Sequence, residues 1–103
     1  MSIYANSDHF RSIATPFYYY DTALLQKTIR TAQEGLGNGP YQIHYAFKAN
    51  SNRRILKAVL KFGLGADCVS GNEVNRAVEM GFNPRNILFA GVGKTDKEIK
   101  LGL

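Results

Sequence analysis

The chemistry available to this sequence starts with one lysine. Residues 41–50 read Tyr-Gln-Ile-His-Tyr-Ala-Phe-Lys-Ala-Asn, with Gly39-Pro40 before and Ser51-Asn52 after, which predicts a buried strand entered from a loop and left by a turn. Strand alternation sets Ile43, Tyr45 and Phe47 on one face and His44, Ala46 and Lys48 on the other. Lys48 then closes the strand beside Ala46 and Ala49, where strand ends open onto loops. Burying an ammonium is costly unless it is paired or loses its proton, and a lysine without its proton is a nucleophilic amine. The plainer reading of a lone strand lysine is a side chain that snorkels to solvent; the rest of the chain weighs against it.

Three further groups sit where strands end. Asp67 lies in the small, apolar run Gly65–Val69, where an unpaired carboxylate is penalised, so a cationic or hydrogen-bonding partner is expected. Glu73 follows Ser70 by three residues, the spacing of a helix cap, which is its default role. Gly91-Val92-Gly93-Lys94-Thr95 looks like a phosphate-cradling loop, but that pattern needs a glycine five positions before Gly93. Leu88 stands there, so the loop is too short to wrap a triphosphate, although contact with a single phosphate or other anion at the helix start is open to it. His44 reads as a satisfied core or barrel-lumen histidine, Tyr18, Tyr19 and Tyr20 as sheet residues, and Cys68 as a small buried hydrophobe.

The elements that must hold these groups repeat. Residues 1–14 carry little pattern and are expected to wander or to lean on something absent. Thr15–Tyr20 reads as an edge strand or strand start. Asp21 caps a helix with Leu24, Leu25, Thr28, Ile29 and Ala32 at helical spacing and Gly35 as its stop. After the lysine strand, Ser51 opens a helix with Ile55, Leu56, Val59 and Leu60 inside and Arg53, Arg54, Lys57 and Lys61 outside. Gly65–Val69 is the next strand, Ser70–Met80 a helix presenting Val74, Ala77 and Val78, and Gly81 its stop. Asn86–Ala90 is the third strand, and Thr95 with Glu98 makes a capping box. Strand alternating with helix three times is a parallel α/β arrangement with right-handed crossovers. It fits an open doubly wound sheet or the first arc of an eight-stranded barrel, and in both the chemistry belongs at the carboxyl ends of the strands.

Composition narrows the classes. The 103 residues suffice for one small domain, and 45% hydrophobic with 12% aromatic content is that of a globular chain. Thirteen basic against eight acidic residues give +5, spread over several segments, which weakens a nucleic-acid reading without removing an anion- or nucleic-acid-binding module as the alternative from another class. A single cysteine builds neither a disulfide nor a cysteine metal cluster, so no metal is expected. With no membrane-length apolar run and no signal pattern, the expected location is cytoplasmic, with no membrane partner.

Tyr45–Asn50 (YAFKAN), Gly63–Ala77 (GLGADCVSGNEVNRA) and Ile87–Ile99 (ILFAGVGKTDKEI), preceded by Thr15–Asp21 (TPFYYYD), together resemble the amino-terminal part of the diaminopimelate decarboxylases. These are pyridoxal-phosphate-dependent decarboxylases of fold type III, with the barrel of alanine racemase and ornithine decarboxylase. The resemblance runs from about Thr15 to the end of the chain. It implies residues 22–103 as the first three βα units of an incomplete TIM-type (β/α)8 barrel that binds pyridoxal 5′-phosphate. Residues 1–21 become a leading segment whose strand joins a separate β-domain. It implies that Lys48 bonds covalently to the cofactor, with Asp67 and Glu73 near it, and that the substrate is an amino acid, meso-2,6-diaminopimelate, decarboxylated to L-lysine as a step of lysine biosynthesis. For the amine to attack an aldehyde it must be neutral part of the time, which burial at a strand end promotes. The phosphate cup, substrate arginines and proton donor of that family are not among these residues. The chain therefore reads as a fragment, inactive and prone to self-association by itself and homodimeric when full length. A related amino acid racemase or a non-catalytic pyridoxal-phosphate carrier is the alternative within the fold.

Overall fold

The computed structural model describes residues 6–103. Helix α1 (Ser7–Arg11) and the longer α2 (Thr22–Leu36) precede three strand-helix units: β1 (His44–Ala46) with α3 (Arg53–Leu60), β2 (Gly65–Cys68) with α4 (Gly71–Met80), and β3 (Ile87–Phe89) with α5 (Asp96–Gly102). The strands form one parallel sheet in the order β1-β2-β3, as the repeating pattern predicts. Pairing sets Tyr45 beside Ala66 and Ala66 beside Ile87, and in the next row Ala46 beside Asp67 and Asp67 beside Leu88.

Alternation splits the sheet into two unlike faces. Tyr45, Ala66, Cys68, Ile87 and Phe89 lie toward the helices and belong to or pack on the core with Ile29, Phe47, Ile55, Leu56, Val59, Leu64, Val74, Ala77 and Phe82. His44, Ala46, Gly65, Asp67 and Leu88 lie on the face without helices, where Leu88 is 51% exposed. Burying one face only is what a strip cut from a barrel wall does, since the barrel fills its other face with side chains from strands all round the ring.

Helices α2 to α5 each begin where an oxygen-bearing side chain accepts an otherwise orphaned N–H, whereas α1 has no such cap. Leu24 N–H donates to Asp21, Arg54 N–H to Asn52, Glu73 N–H to Ser70 and Glu98 N–H to Thr95. The opener of α3 is thus Asn52, with Ser51 one residue outside, because the carboxamide oxygen of Asn52 reaches the N–H two residues on. Gly81, at φ 96°, closes α4 in the left-handed region.

Several expectations are corrected. The first strand ends at Ala46, and Phe47–Ala49 turn as a short 3-10 segment. Val78 is 55% exposed, and α4 buries Gly71, Val74 and Ala77 instead. Helix α2 runs through Gly35 to Leu36 and is capped at Gly37. Residues 15–20 make no strand, because an edge strand needs a partner and none of the three strands pairs with them. Tyr18 and Tyr20 stack on each other at 6.4 Å between ring centroids, and Tyr19 meets Phe10 of α1 edge-on at 4.9 Å. The patternless stretch 1–14 contains α1; its residues 1–5 lie outside the described residues.

Two glycines give opposite predictions. A Cβ at Gly65 would strike the His44 imidazole and stand 2.6 Å from the Asn86 carbonyl oxygen, whereas Gly35 has open space around it. Gly65→Ala is expected to cost about 1–3 kcal/mol by overpacking. Gly35→Ala, in the last turn of α2, is expected to stabilise by up to roughly 0.5–1 kcal/mol. Urea midpoints at constant slope test both, and a neutral Gly65→Ala would refute the close approach of His44.

Candidate active site

At the carboxyl end of the sheet the three units bring together Lys48 beyond β1, Asp67 within β2 and the loop 91–95 beyond β3. Lys48 is the middle residue of the 3-10 turn, between Phe47, which is only 1% exposed, and the exposed Ala49, with the half-buried Asn50 after them. The turn drives the aromatic ring of Phe47 into the core against Phe82, edge-on at 5.3 Å, and leaves the following residue outside. Lys48 is therefore exposed, and the burial expected from continuous strand alternation is corrected. The two ion pairs among the described residues are Arg11–Asp8 and Arg53–Glu79, so Lys48 stands outside both.

Asp67 is half-buried on the face without helices, level with Ala46 in the neighbouring strand. Among the described residues it enters no ion pair and accepts no side-chain hydrogen bond, so the partner expected for it is not found there. Its charge is felt by Cys68 next to it. Burial first, then the carboxylates of Glu73 and Asp67, push the Cys68 thiol up to about 11. Fully buried, Cys68 is the inert hydrophobe its sequence setting implies.

Glu73 does not close a capping box with Ser70 but binds the backbone one residue before it. Its Oε2 accepts from the Val69 N–H at 2.6 Å while Ser70 Oγ accepts from the Glu73 N–H at 3.2 Å, closing the turn between β2 and α4. His44 is half-buried on the same face as Asp67 and lies over Gly65. In the third loop Lys94 Nζ donates to the Gly91 carbonyl at 2.7 Å and lies 4.9 Å from the centre of the Phe89 ring. That lysine folds the loop onto itself, with Gly91 and Gly93 at φ 99° and 74°.

Glu98 does more than a capping box requires. Oε1 accepts from the Thr95 N–H and hydroxyl, while Oε2 accepts from the Gly71 N–H at 2.9 Å, joining the start of α5 to the start of α4. The spacing from Thr95 announces the first job; the second joins residues 27 apart and has no local signal. The Gly71 N–H above all, then those of Thr95, holds the Glu98 carboxyl below its ordinary value of 4.5. A lowered folded-state value means the contribution is complete above about pH 5 and lost as pH falls. Glu98→Gln is therefore expected to destabilise more at pH 7 than at pH 3, measured as the gap in urea midpoint from the parent; an equal gap at both would show that the charge is irrelevant.

Among the described residues no group of three or more His, Cys, Asp or Glu is placed to hold a metal, and no helix is long and apolar enough to cross a membrane.

With this geometry in hand, residues 22–103 match the family of the pyridoxal-dependent decarboxylases, through the pyridoxal binding domain. The diaminopimelate decarboxylase of Bacteroides thetaiotaomicron is 50% identical over 97 residues, which are 93% of this chain and 25% of that protein. That of Helicobacter pylori, strain J99, is 42% identical, over 91% of this chain and 23% of its own length. The crystal structure of the Helicobacter pylori enzyme complexed with L-lysine superposes with a TM-score of 0.81 at 37% identity, covering 94% of this chain and 26% of that one. The lysine/ornithine decarboxylase of Vibrio vulnificus, at 19% identity, shares the fold with a TM-score of 0.83. The chain spans about a quarter of the length of the curated relatives it matches. Its three βα units are thus part of a TIM-type barrel wall. The donor set fits the cofactor implied: a reachable primary amine for an aldehyde, and a carboxylate on the neighbouring strand for a cationic ring nitrogen or iminium.

Proposed function

This chain belongs to the pyridoxal-dependent decarboxylase family, and from that premise we propose that it is the amino-terminal part of a cytoplasmic, homodimeric enzyme. That enzyme converts meso-2,6-diaminopimelate to L-lysine and carbon dioxide. The observation that carries the reading is an exposed amine, Lys48, in the turn that closes one strand, with the carboxylate of Asp67 on the adjacent strand of the face a barrel encloses. Pyridoxal 5′-phosphate, when bound, supplies an electron sink for the pair left behind as carbon dioxide departs. Lys48 would hold the group at its aldehyde carbon through Nζ, which must be free of its extra proton to act as a nucleophile, the aldehyde oxygen leaving as water. Asp67 contributes a fixed negative charge beside that attachment, and Glu73 acts through its bond to the Val69 N–H, holding the turn that follows Asp67. In the complete barrel the open face is covered, which removes the solvent that reaches Lys48 here and strengthens these interactions.

The test is reduction with borohydride of the intact polypeptide carrying these residues, loaded with pyridoxal 5′-phosphate, followed by peptide mass mapping. The expected adduct is on Lys48; an adduct on Lys94, or none, would overturn the assignment. Release of carbon dioxide from meso-diaminopimelate, with no inversion of the substrate left over, separates a decarboxylase from a racemase of the same fold.

By itself the 103-residue chain is expected to be inactive and to self-associate. Among the described residues both sheet edges, β1 and β3, lack a second partner, and the face between them exposes Leu88. Analytical ultracentrifugation should find a concentration-dependent increase in mass, and a strict monomer with decarboxylase activity would contradict this.

A further inference from the structure

The turn of residues 47–52, which carries Lys48, is anchored at both ends. Before the lysine, Phe47 is locked in the core. After it, Tyr45 Oη donates to the Asn50 carbonyl at 2.8 Å, the Asn52 N–H donates to Asn50 Oδ1 at 2.9 Å, and Asn52 Oδ1 caps α3. All of these belong to the β1–α3 unit itself. One bond comes from the next unit. Arg76 Nη1, on α4, donates to the Ser51 carbonyl at 3.0 Å across 25 positions of sequence. Among the described residues it is the sole side-chain hydrogen bond that reaches residues 47–52 from outside that unit.

The helix it comes from is a firm base. Ser70 and Glu73 tie the start of α4 to the end of β2, Glu98 ties the same start to α5, and Val74 and Ala77 are buried beneath it. The other polar link between α3 and α4, Arg53–Glu79 at 3.3 Å, has side chains 61% and 58% exposed and contributes little. Arg76 differs in that its own side chain is half-buried, although the Ser51 carbonyl it reaches is exposed, and in making a charge-assisted bond to backbone with a planar fork whose geometry is fixed.

We infer that Arg76 is a positioning residue for Lys48, setting from α4 where the backbone that bears the amine stands. The inference rests on Lys48 being the attachment residue. A lysine reaches its partner through four flexible bonds, so the position of its Cα decides how often Nζ arrives in line. Misplacement by about 1 Å lowers the rate of an oriented reaction by as much as a hundredfold.

The experiment uses the intact polypeptide with Arg76→Met, which keeps an apolar stem and removes the donors, and with Arg76→Lys. Amide hydrogen exchange without cofactor is expected to quicken in peptides spanning 47–52 and to stay at parental rates over 55–59 and 74–77. The rate of capture of pyridoxal 5′-phosphate at Lys48, trapped with borohydride, is expected to fall about ten- to a hundredfold while melting shifts by no more than about 4 °C. Arg76→Lys should recover part of the loss. Faster exchange throughout the chain, with capture falling only in step with the folded fraction, would make Arg76 a merely stabilising residue and overturn the inference, as would unchanged capture. Should Arg76→Met not fold, Arg76→Gln is read by the same two measurements and the same outcomes. The unsubstituted protein separates the two levels: if its adduct maps away from Lys48, the attachment reading fails before Arg76 is tested.

Discussion

Replacing Lys48 with alanine is expected to abolish covalent capture of pyridoxal 5′-phosphate and to lower turnover of the intact enzyme by at least about a thousandfold, the scale on which loss of a nucleophile acts. The same substitution should leave the fold alone. Lys48 is exposed, outside both ion pairs among the described residues, and surface substitutions of that kind stay within about 0.5 kcal/mol. This pairing of a large chemical loss with a negligible structural one distinguishes an attachment residue from a residue that matters for folding. Lys94→Ala is the control, because its amine already donates to the Gly91 carbonyl and it should keep the adduct at Lys48. Borohydride trapping with mass mapping reads both variants; an adduct surviving in Lys48→Ala together with parental turnover would sink the proposal. Asp67→Asn tests the neighbouring charge in the same assay. It should slow turnover without a matching fall in melting temperature, because Asp67 has no partner to lose among the described residues.

The order of elements from α2 onward is legible because α2, α3 and α4 repeat their apolar residues at the helical period and α2 to α5 open on an oxygen-bearing side chain. Ile55, Leu56 and Val59 are inside and Arg53, Arg54, Lys57 and Lys61 are outside as the period demands, and Asp21, Ser70 and Thr95 cap as their types suggest. What failed to show depends on contacts between distant residues. Alternation continues through Phe47 in the sequence, so nothing local marks the 3-10 turn that ends β1 at Ala46; the turn goes with a contact 35 positions away, the Phe47 ring packed against Phe82. For the same reason Lys48 was expected inside and stands outside. Tyr18, Tyr19 and Tyr20 have strong strand propensity, yet propensity makes no strand without a paired edge. The second oxygen of Glu98 and the guanidinium of Arg76 act on backbone 27 and 25 positions away, distances over which types and spacing carry no signal.

Phe47→Ala is expected to be the most damaging single change to the fold, at about 3–5 kcal/mol. Phe47 is 1% exposed and meets Phe82 edge-on at 5.3 Å and Tyr45 at 6.1 Å, an arrangement that adds roughly 0.5–1.5 kcal/mol beyond its buried area. Small domains are held by only about 5–15 kcal/mol in all, so the loss is a large share of the whole. It also falls where the chemistry is placed. Phe47 anchors the leading end of the turn whose trailing end Arg76 holds, and with the ring gone Lys48 swings from one fixed point instead of two. Phe47→Leu, which refills part of the cavity, should cost less and keep the adduct at Lys48, formed more slowly than in the parent. Urea midpoints give the stability of both variants and borohydride trapping gives the rate. A loss below about 1 kcal/mol in Phe47→Ala would mean that the ring is not the anchor. A stable, folded Phe47→Leu with no adduct would instead assign Phe47 a direct part in binding.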